Sequence, residues 1–192
     1  MKKHEIKTNR KGNKKEVQLF DSCQTPAYAL NPLWEYLKPD WIVWESCAGE
    51  GMLVREFERR GYKTIGTDLL TGQNFFEYQP DNWNVQITNP PYSLKFDWLE
   101  RSYQLGKPFG LLLPVEAMGA NKAQKLFEKY GIEIILLNKR VNFSMPNLKF
   151  GGSGAWFPTA WFTFGLGIGT PLSFGKIYPK DNNQLEFGLA LR

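Results

Sequence analysis

Apolar residues fall along this chain in short runs separated by helical repeats. Trp41-Ile42-Val43-Trp44 is four apolar residues in a row, the signature of a strand covered on both faces. Gly49-Glu50-Gly51 then turns the chain, and Met52 to Arg60 carries apolar Leu53, Val54 and Phe57 at helical spacing until Gly61. Tyr62 to Thr67 predicts a second strand, Val85 to Thr88 a third, Phe109 to Leu113 a fourth and Ile132 to Leu137 a fifth. Helices are predicted from Pro26 to about Leu37, from Lys95 to Leu105 and from Asn121 to Tyr130, the last closed by Gly131. Residues 69–84 read as mostly irregular.

Strand and helix thus alternate up to about residue 137, which argues for an α/β fold: a mostly parallel twisted sheet with helices on both faces. Beyond it the character changes. Residues 139–157, with Pro146 and Gly151-Gly152-Ser153-Gly154, read as a long loop. Ala160 to Gly165 and Ser173 to Tyr178 read as an antiparallel C-terminal strand pair, and Leu185 to Leu191 either adds an edge strand or packs as a tail. With 192 residues and no internal repeat, one domain from about residue 19 to 192 is expected, without a separate target-recognition domain.

Charge changes the picture only at the amino terminus. Residues 1–16 hold seven Lys or Arg against two Glu, while the remainder carries seventeen of each sign. Residues 1–18 are therefore expected to be a basic, disordered tail, either a phosphate-seeking arm or a solubilising terminus. That tail lacks the apolar segment of a secretory signal, and no stretch has the apolar length of a membrane span. Two cysteines, Cys23 and Cys47, make no disulfide framework, so a reduced, cytoplasmic setting is the expectation. The single histidine, His4, excludes Ser-His-Asp and Cys-His catalysis and leaves no zinc ligand set, so no metal is expected.

The chemistry is expected at the loops. Right-handed crossovers bring all strand-to-helix loops to one sheet edge, so Glu45–Gly51, Asp68 and Asn89–Tyr92 converge there. In Glu45-Ser46-Cys47-Ala48-Gly49-Glu50-Gly51 the glycines let main chain approach a ligand closely. A dinucleotide fingerprint requires a third glycine where Val54 stands, and Glu45 disfavours a pyrophosphate. A carboxylate there suits a cationic group such as an ammonium. Asp68, nineteen residues after Gly49, can accept from both hydroxyls of a ribose, or can simply cap a turn. In Asn89-Pro90-Pro91-Tyr92 two prolines hold the Asn89 side chain and the Pro90 carbonyl rigidly. Two acceptors placed on an amine whose lone pair is delocalised into a ring draw it toward tetrahedral geometry. Tyr92 adds an aromatic face beside them.

Glu45-x-x-Ala48-Gly49-x-Gly51, Asp68 and Asn89-Pro90-Pro91-Tyr92, in that order, resemble the amino-methyltransferases that use S-adenosylmethionine. More narrowly they resemble the small adenine-N6 DNA methyltransferases of phages and mobile elements, over roughly residues 20–165. The resemblance implies a class I methyltransferase-like Rossmann fold. It places Thr25-Pro26 and Glu45 at the methionine end of the cofactor, Ala48 to Gly51 beneath it, Asp68 on the ribose and Asn74-Phe75 beside its adenine. Asn74 stands where that family usually has Asp, and Phe76 competes with Phe75 for the same role. Tyr92, Ser93, Arg140 and Phe143 are then expected on the target. Lys139-Arg140, Asn142-Phe143 and Lys149-Phe150 interleave charge and aromatics, the composition of a surface that grips phosphate beside a displaced base. DNA is the expected partner, a short or relaxed recognition sequence is the expected specificity, and monomer is the default. Close variants of the tetrapeptide occur in enzymes acting on RNA or on a protein glutamine. A non-catalytic cofactor-binding or DNA-binding module is the alternative of another class.

Overall fold

The computed structural model describes residues 23–144 and 157–178. The basic tail of residues 1–18, the Lys149-Phe150 and glycine-run part of the 139–157 loop, and the stretch 185–191 lie outside the described residues.

Seven strands form one sheet: β1 (Ile42–Glu45), β2 (Lys63–Gly66), β3 (Val85–Thr88), β4 (Phe109–Pro114), β5 (Glu133–Leu137), β6 (Thr159–Phe164) and β7 (Leu172–Gly175). Their order across the sheet is β2-β1-β3-β4-β6-β5-β7. The three α-helices are α1 (Met52–Arg59), α2 (Lys95–Gln104) and α3 (Asn121–Tyr130). All four residues of β3 and all six of β4 are buried, as expected of central strands with both faces covered.

Strand alternation divides the core into two layers. Val43, Val85, Ile87 and Leu112 point to one face, where Leu30 and Leu33 of the amino-terminal segment and Leu53 and Phe57 of α1 cover them. Trp44, Phe109, Leu111 and Leu113 point to the other, against Trp98, Leu99 and Tyr103 of α2 and Ala123 of α3. The expected mostly parallel sheet with helices on both faces is therefore present.

Two expected elements differ. The helix predicted from Pro26 to Leu37 is a 3-10 helix over Ala27–Leu33, with Pro32 inside it. Pro32 has no N–H to donate and its ring crowds the preceding turn, so a regular α-helix is disfavoured there. The two C-terminal strands do not pair with each other. β6 lies antiparallel between β4 and β5, with both of its edges hydrogen-bonded. β7 adds instead to the outer edge of β5, and the reversal after β6 makes it parallel there.

From β1 the chain turns outward to β2 on one side and returns to β3 on the other. The strand order thus reverses between β1 and β3. In open α/β sheets such a switch point opens a crevice at the carboxyl ends of the two strands. Glu45 ends one of them, and Thr88 ends the other, immediately before Asn89.

Candidate active site at the switch point

Glu45 is the last residue of β1 at this switch point and is 1% exposed. Its Oε1 accepts from the Cys47 backbone N–H at 3.0 Å and from the Thr88 hydroxyl, a bond that spans the switch point from β3 to β1. Its Oε2 is buried without a partner. Burial pushes the carboxyl up to about 8; the Thr88 and Cys47 bonds oppose this, and the negative charge of Asp68 adds to it. In its ionised form Oε2 can accept from a cationic donor.

The glycine loop is built from main chain. Gly49 has φ +52° and Gly51 φ +78°, backbone that favours glycine. The Ala48 N–H donates to the Thr67 carbonyl at 3.0 Å, and the Thr67 N–H donates to the Glu45 carbonyl at 2.9 Å, so the loop is pinned to the end of β2. Asp68 fastens both sides: Oδ2 accepts from the Gly49 N–H and Oδ1 from the Leu70 N–H, each at 2.9 Å. It also caps the short 3-10 turn Leu69–Thr71. The capping role and the contact with the glycine loop coexist. Each carboxylate oxygen keeps a second lone pair for another donor.

Opposite, Pro90 is buried and Pro91 has φ −55° and ψ 122°. The Asn89 Oδ1 is buried with no hydrogen-bond partner, and so is the Tyr92 hydroxyl. Burial, reinforced by the nearby Cys23, pushes the Tyr92 phenol far above its usual value, so it stays protonated. The Tyr92 ring meets Phe143 edge-on at 6.3 Å and Phe157 at 5.6 Å between centroids. The carbonyl of Tyr92 accepts from Lys95 Nζ at 3.1 Å.

Other expected residues are placed as follows. Thr25 is buried and Pro26 precedes the 3-10 helix. Asn74 Oδ1 accepts from the Phe76 N–H at 3.1 Å, a local turn. Phe75 is a core ring, 2% exposed and stacked on Trp98 at 4.3 Å; Phe76 is the more exposed of the pair. Ser93 and Arg140 are exposed. Phe143 joins the Tyr92 wall, so residues 51 positions apart in sequence meet at this edge.

Sequence reasoning passed over five participants. Thr88 bonds Glu45. Gln86 Nε2 donates to Ser46 Oγ at 2.7 Å, while its Oε1 accepts from Ser102 Oγ at 2.9 Å, tying the glycine loop to α2 through the core. Polar Gln86 and Thr88 inside a buried apolar strand were a legible signal. Gln24 reaches the glycine loop, where its Oε1 accepts from the Glu50 N–H at 3.1 Å. Phe157 completes the Tyr92 wall. Thr159, paired with the last residue of β4, brings another buried hydroxyl without a partner to the same edge. Among the described residues no group of His, Cys, Asp and Glu is placed to hold a metal, and no helix is long and apolar enough to cross a membrane. No disulfide joins Cys23 and Cys47.

No protein-family model matches this chain, and no curated protein matches it. Its fold is found in solved structures of methyltransferase subunits. One is the modification subunit of a putative type I restriction enzyme from Vibrio vulnificus YJ016, with a TM-score of 0.52 at 13% identity over 83% of this chain. Another is the type I restriction-modification methyltransferase subunit from Streptococcus thermophilus, with a TM-score of 0.50 at 14% identity over 89%. This chain spans only 48% of the length of each. At such identity the likeness is one of fold, and function rests on the site.

Proposed function

We propose that this chain transfers a methyl group from S-adenosylmethionine to the exocyclic N6 amino group of adenine in DNA, with the base flipped out of the duplex. One observation carries the reading. The Thr88–Glu45 bond joins the end of β3, immediately before the Asn89 turn, to the end of β1 that opens the glycine loop, and on these two strand ends Glu45 Oε2 and Asn89 Oδ1 are both buried and unpartnered.

The residues fit the cofactor. Glu45 Oε2 would accept an ammonium, Asp68 retains lone pairs for ribose hydroxyls, and Gly49 and Gly51 supply the positive-φ main chain of the loop that would pass beneath. Thr25 and Pro26 would hold the methionine end, and Asn74 with Phe76, the more exposed ring of the Phe75-Phe76 pair, would flank the adenine. When bound, the cofactor supplies an electrophilic methyl on a sulfonium. The protein would hold the amine: Asn89 Oδ1 and the Pro90 carbonyl would accept its two N–H groups, which localises the lone pair toward the methyl. As the N–C bond forms, the S–C bond electrons leave with the neutral thioether, and the nitrogen releases one proton to solvent. Tyr92, Phe143 and Phe157 would bound the base, and the exposed Ser93 and Arg140 would contact its sugar and phosphates. Positioning and fixed dipoles suffice for such a transfer. The fold shared with restriction-modification subunits supports DNA as the target. The reading includes a single domain over residues 19–192, a short or relaxed recognition sequence, and phosphate contacts from the basic tail.

Incubation with methyl-labelled cofactor and parallel offers of DNA, RNA and protein tests it. Label recovered as N6-methyladenine from DNA is the expected result. Label in RNA or on a protein glutamine replaces the substrate, and binding without transfer replaces the enzyme by a module. Sequencing of modified plasmid sites then reads the specificity; strict modification of a site of six or more base pairs overturns the short-site expectation.

A further inference from the structure

We infer that Gln24 is a positioning residue that couples the glycine loop to the aromatic wall of the target site, an inference that rests on the reading above. Its side chain and its main chain serve different partners. The side-chain oxygen holds the Glu50 N–H at 3.1 Å. The amide nitrogen lies so close over the loop that a Cβ on Gly49 would stand 2.7 Å from it. The main chain of Gln24 forms an isolated two-bond bridge with Ser144: the Gln24 N–H donates to the Ser144 carbonyl at 2.8 Å, and the Ser144 N–H donates back at 3.1 Å.

Ser144 directly follows Phe143, whose ring meets Tyr92. One further bond fixes the same segment, from the Asn142 N–H to the Tyr28 hydroxyl at 2.8 Å. An unbroken series of contacts therefore runs from Gly49 and Glu50 through Gln24 to Ser144, Phe143 and Tyr92. Gln24 is itself buried, so a shift of the glycine loop cannot be absorbed by solvent at this point. Occupation of the glycine loop restrains Glu50, Glu50 restrains the Gln24 carboxamide, and the bridge passes that restraint to the residues bounding the base. Linkage makes the effect reciprocal: whatever orders the wall tightens cofactor binding equally.

Hydrogen exchange on the full chain tests this without DNA, using S-adenosylhomocysteine as the probe. In the natural chain the probe is expected to slow exchange in peptides covering 46–52 and also 139–144, the second by about fivefold, the low end of coupling between linked sites. In Gln24→Met, which keeps side-chain volume and loses the acceptor, protection is expected at 46–52 only. A thermal melt of the variant establishes that it is folded, and Gln24→Ala repeats the measurement with a smaller side chain. In the same variants, the gain in probe affinity on adding duplex DNA is expected to fall to about onefold from about fivefold.

Protection confined to 46–52 in the natural chain overturns the coupling and leaves the proposed activity standing. So does protection at 139–144 that persists in both variants. A folded Gln24→Met that no longer binds the probe makes Gln24 part of the cofactor site and also overturns the coupling. No binding by the natural chain removes this inference and the reading beneath it together.

Discussion

The two sides of the switch point differ in how completely their polar groups are satisfied. On the β1–β2 side Asp68 accepts two main-chain N–H groups, Gln24 accepts a third, and Glu45 Oε1 takes two donors. On the β3–β4–β6 side Asn89 Oδ1, the Tyr92 hydroxyl and Thr159 Oγ1 are buried with no partner, and Glu45 Oε2 stands at the seam. Only two other such side-chain atoms occur among the described residues, on Trp34 and Glu133. A buried polar group left unpaired costs about 1–3 kcal/mol, so a cluster of them at one sheet edge is not explained by stability. The contrast separates a side whose polar groups bond one another from a side whose buried polar atoms have no partner among the described residues.

Breaking the second side alone should give the largest effect. Asn89→Ala is expected to lower methyl transfer by about a thousandfold, the scale of losing one aligned polar group at a reacting centre. Cofactor affinity, measured by calorimetry, should stay within about twofold because the glycine loop is untouched. Equal loss of both would make Asn89 a structural residue and erase the contrast.

Glu45, at the seam, should make the contrast depend on pH. Its carboxyl titrates near 8 in the folded chain against an ordinary value of 4.5. Between those values the folded state holds a proton that the unfolded state has lost. Its contribution to stability therefore falls as pH rises from about 4.5 to 8, and remains least favourable above. Binding a cationic group requires the ionised form. Cofactor affinity should thus rise with pH, by up to about tenfold per unit while Glu45 is protonated and the ligand still cationic, and turn over once the ligand's own α-ammonium loses its proton. Glu45→Gln should flatten that profile and stabilise the ligand-free chain at high pH. A flat profile in the natural chain would remove the ammonium contact.

The fold was legible where local signals agreed. Asn121–Tyr130 begins and ends as its apolar spacing and Gly131 imply, and the buried runs of β1, β3 and β4 each became strands. Legibility failed where the outcome depended on partners distant in the chain. Nothing local in Leu172–Gly175 indicates that β6 is already paired on both edges and that β7 adds beyond β5. The site divides similarly. Glu45, Gly49, Asp68 and Asn89 carry motif spacing. Gln24 and Ser144 meet across 120 residues through main-chain atoms, which side-chain identity does not encode. Phe75 and Phe76 illustrate a third limit, since adjacent identical residues are separated only by which face of the chain they occupy.

On the β1–β2 side, three glycines separate strain from collision. Gly61 has φ +86° with nothing within 4 Å of an added Cβ, so Gly61→Ala reports conformational strain alone, about 1–2 kcal/mol by chemical denaturation. Gly49→Ala should lose more, because its Cβ meets the Gln24 carboxamide at 2.7 Å in addition to the strain at φ +52°. Gly51→Ala should fall near Gly61→Ala, since its nearest neighbour is the flexible end of Arg55 at 3.2 Å. Equal losses at all three would mean that Gln24 moves aside freely, and the loop would be less rigid than its hydrogen bonds imply.

The smallest expected change in stability is also the sharpest test of the contrast. The Tyr92 hydroxyl is buried, protonated and unpartnered, while its ring packs on Phe143 and Phe157. Tyr92→Phe keeps those ring contacts and removes only an unsatisfied polar atom, so stability should stay level or rise by at most about 1 kcal/mol. A destabilised Tyr92→Phe would reveal a partner for the hydroxyl within the folded chain, and its place among the incomplete groups would be lost. If stability holds while methyl transfer falls by about tenfold, the loss corresponds to one hydrogen bond made only with the substrate. If both hold, the ring is the working part, and the task of gripping the amine falls to Asn89 and Pro90 alone. Thr159→Val applies the same logic to the second orphan hydroxyl, and a fall in transfer there would extend the target surface from β3 across β4 to β6.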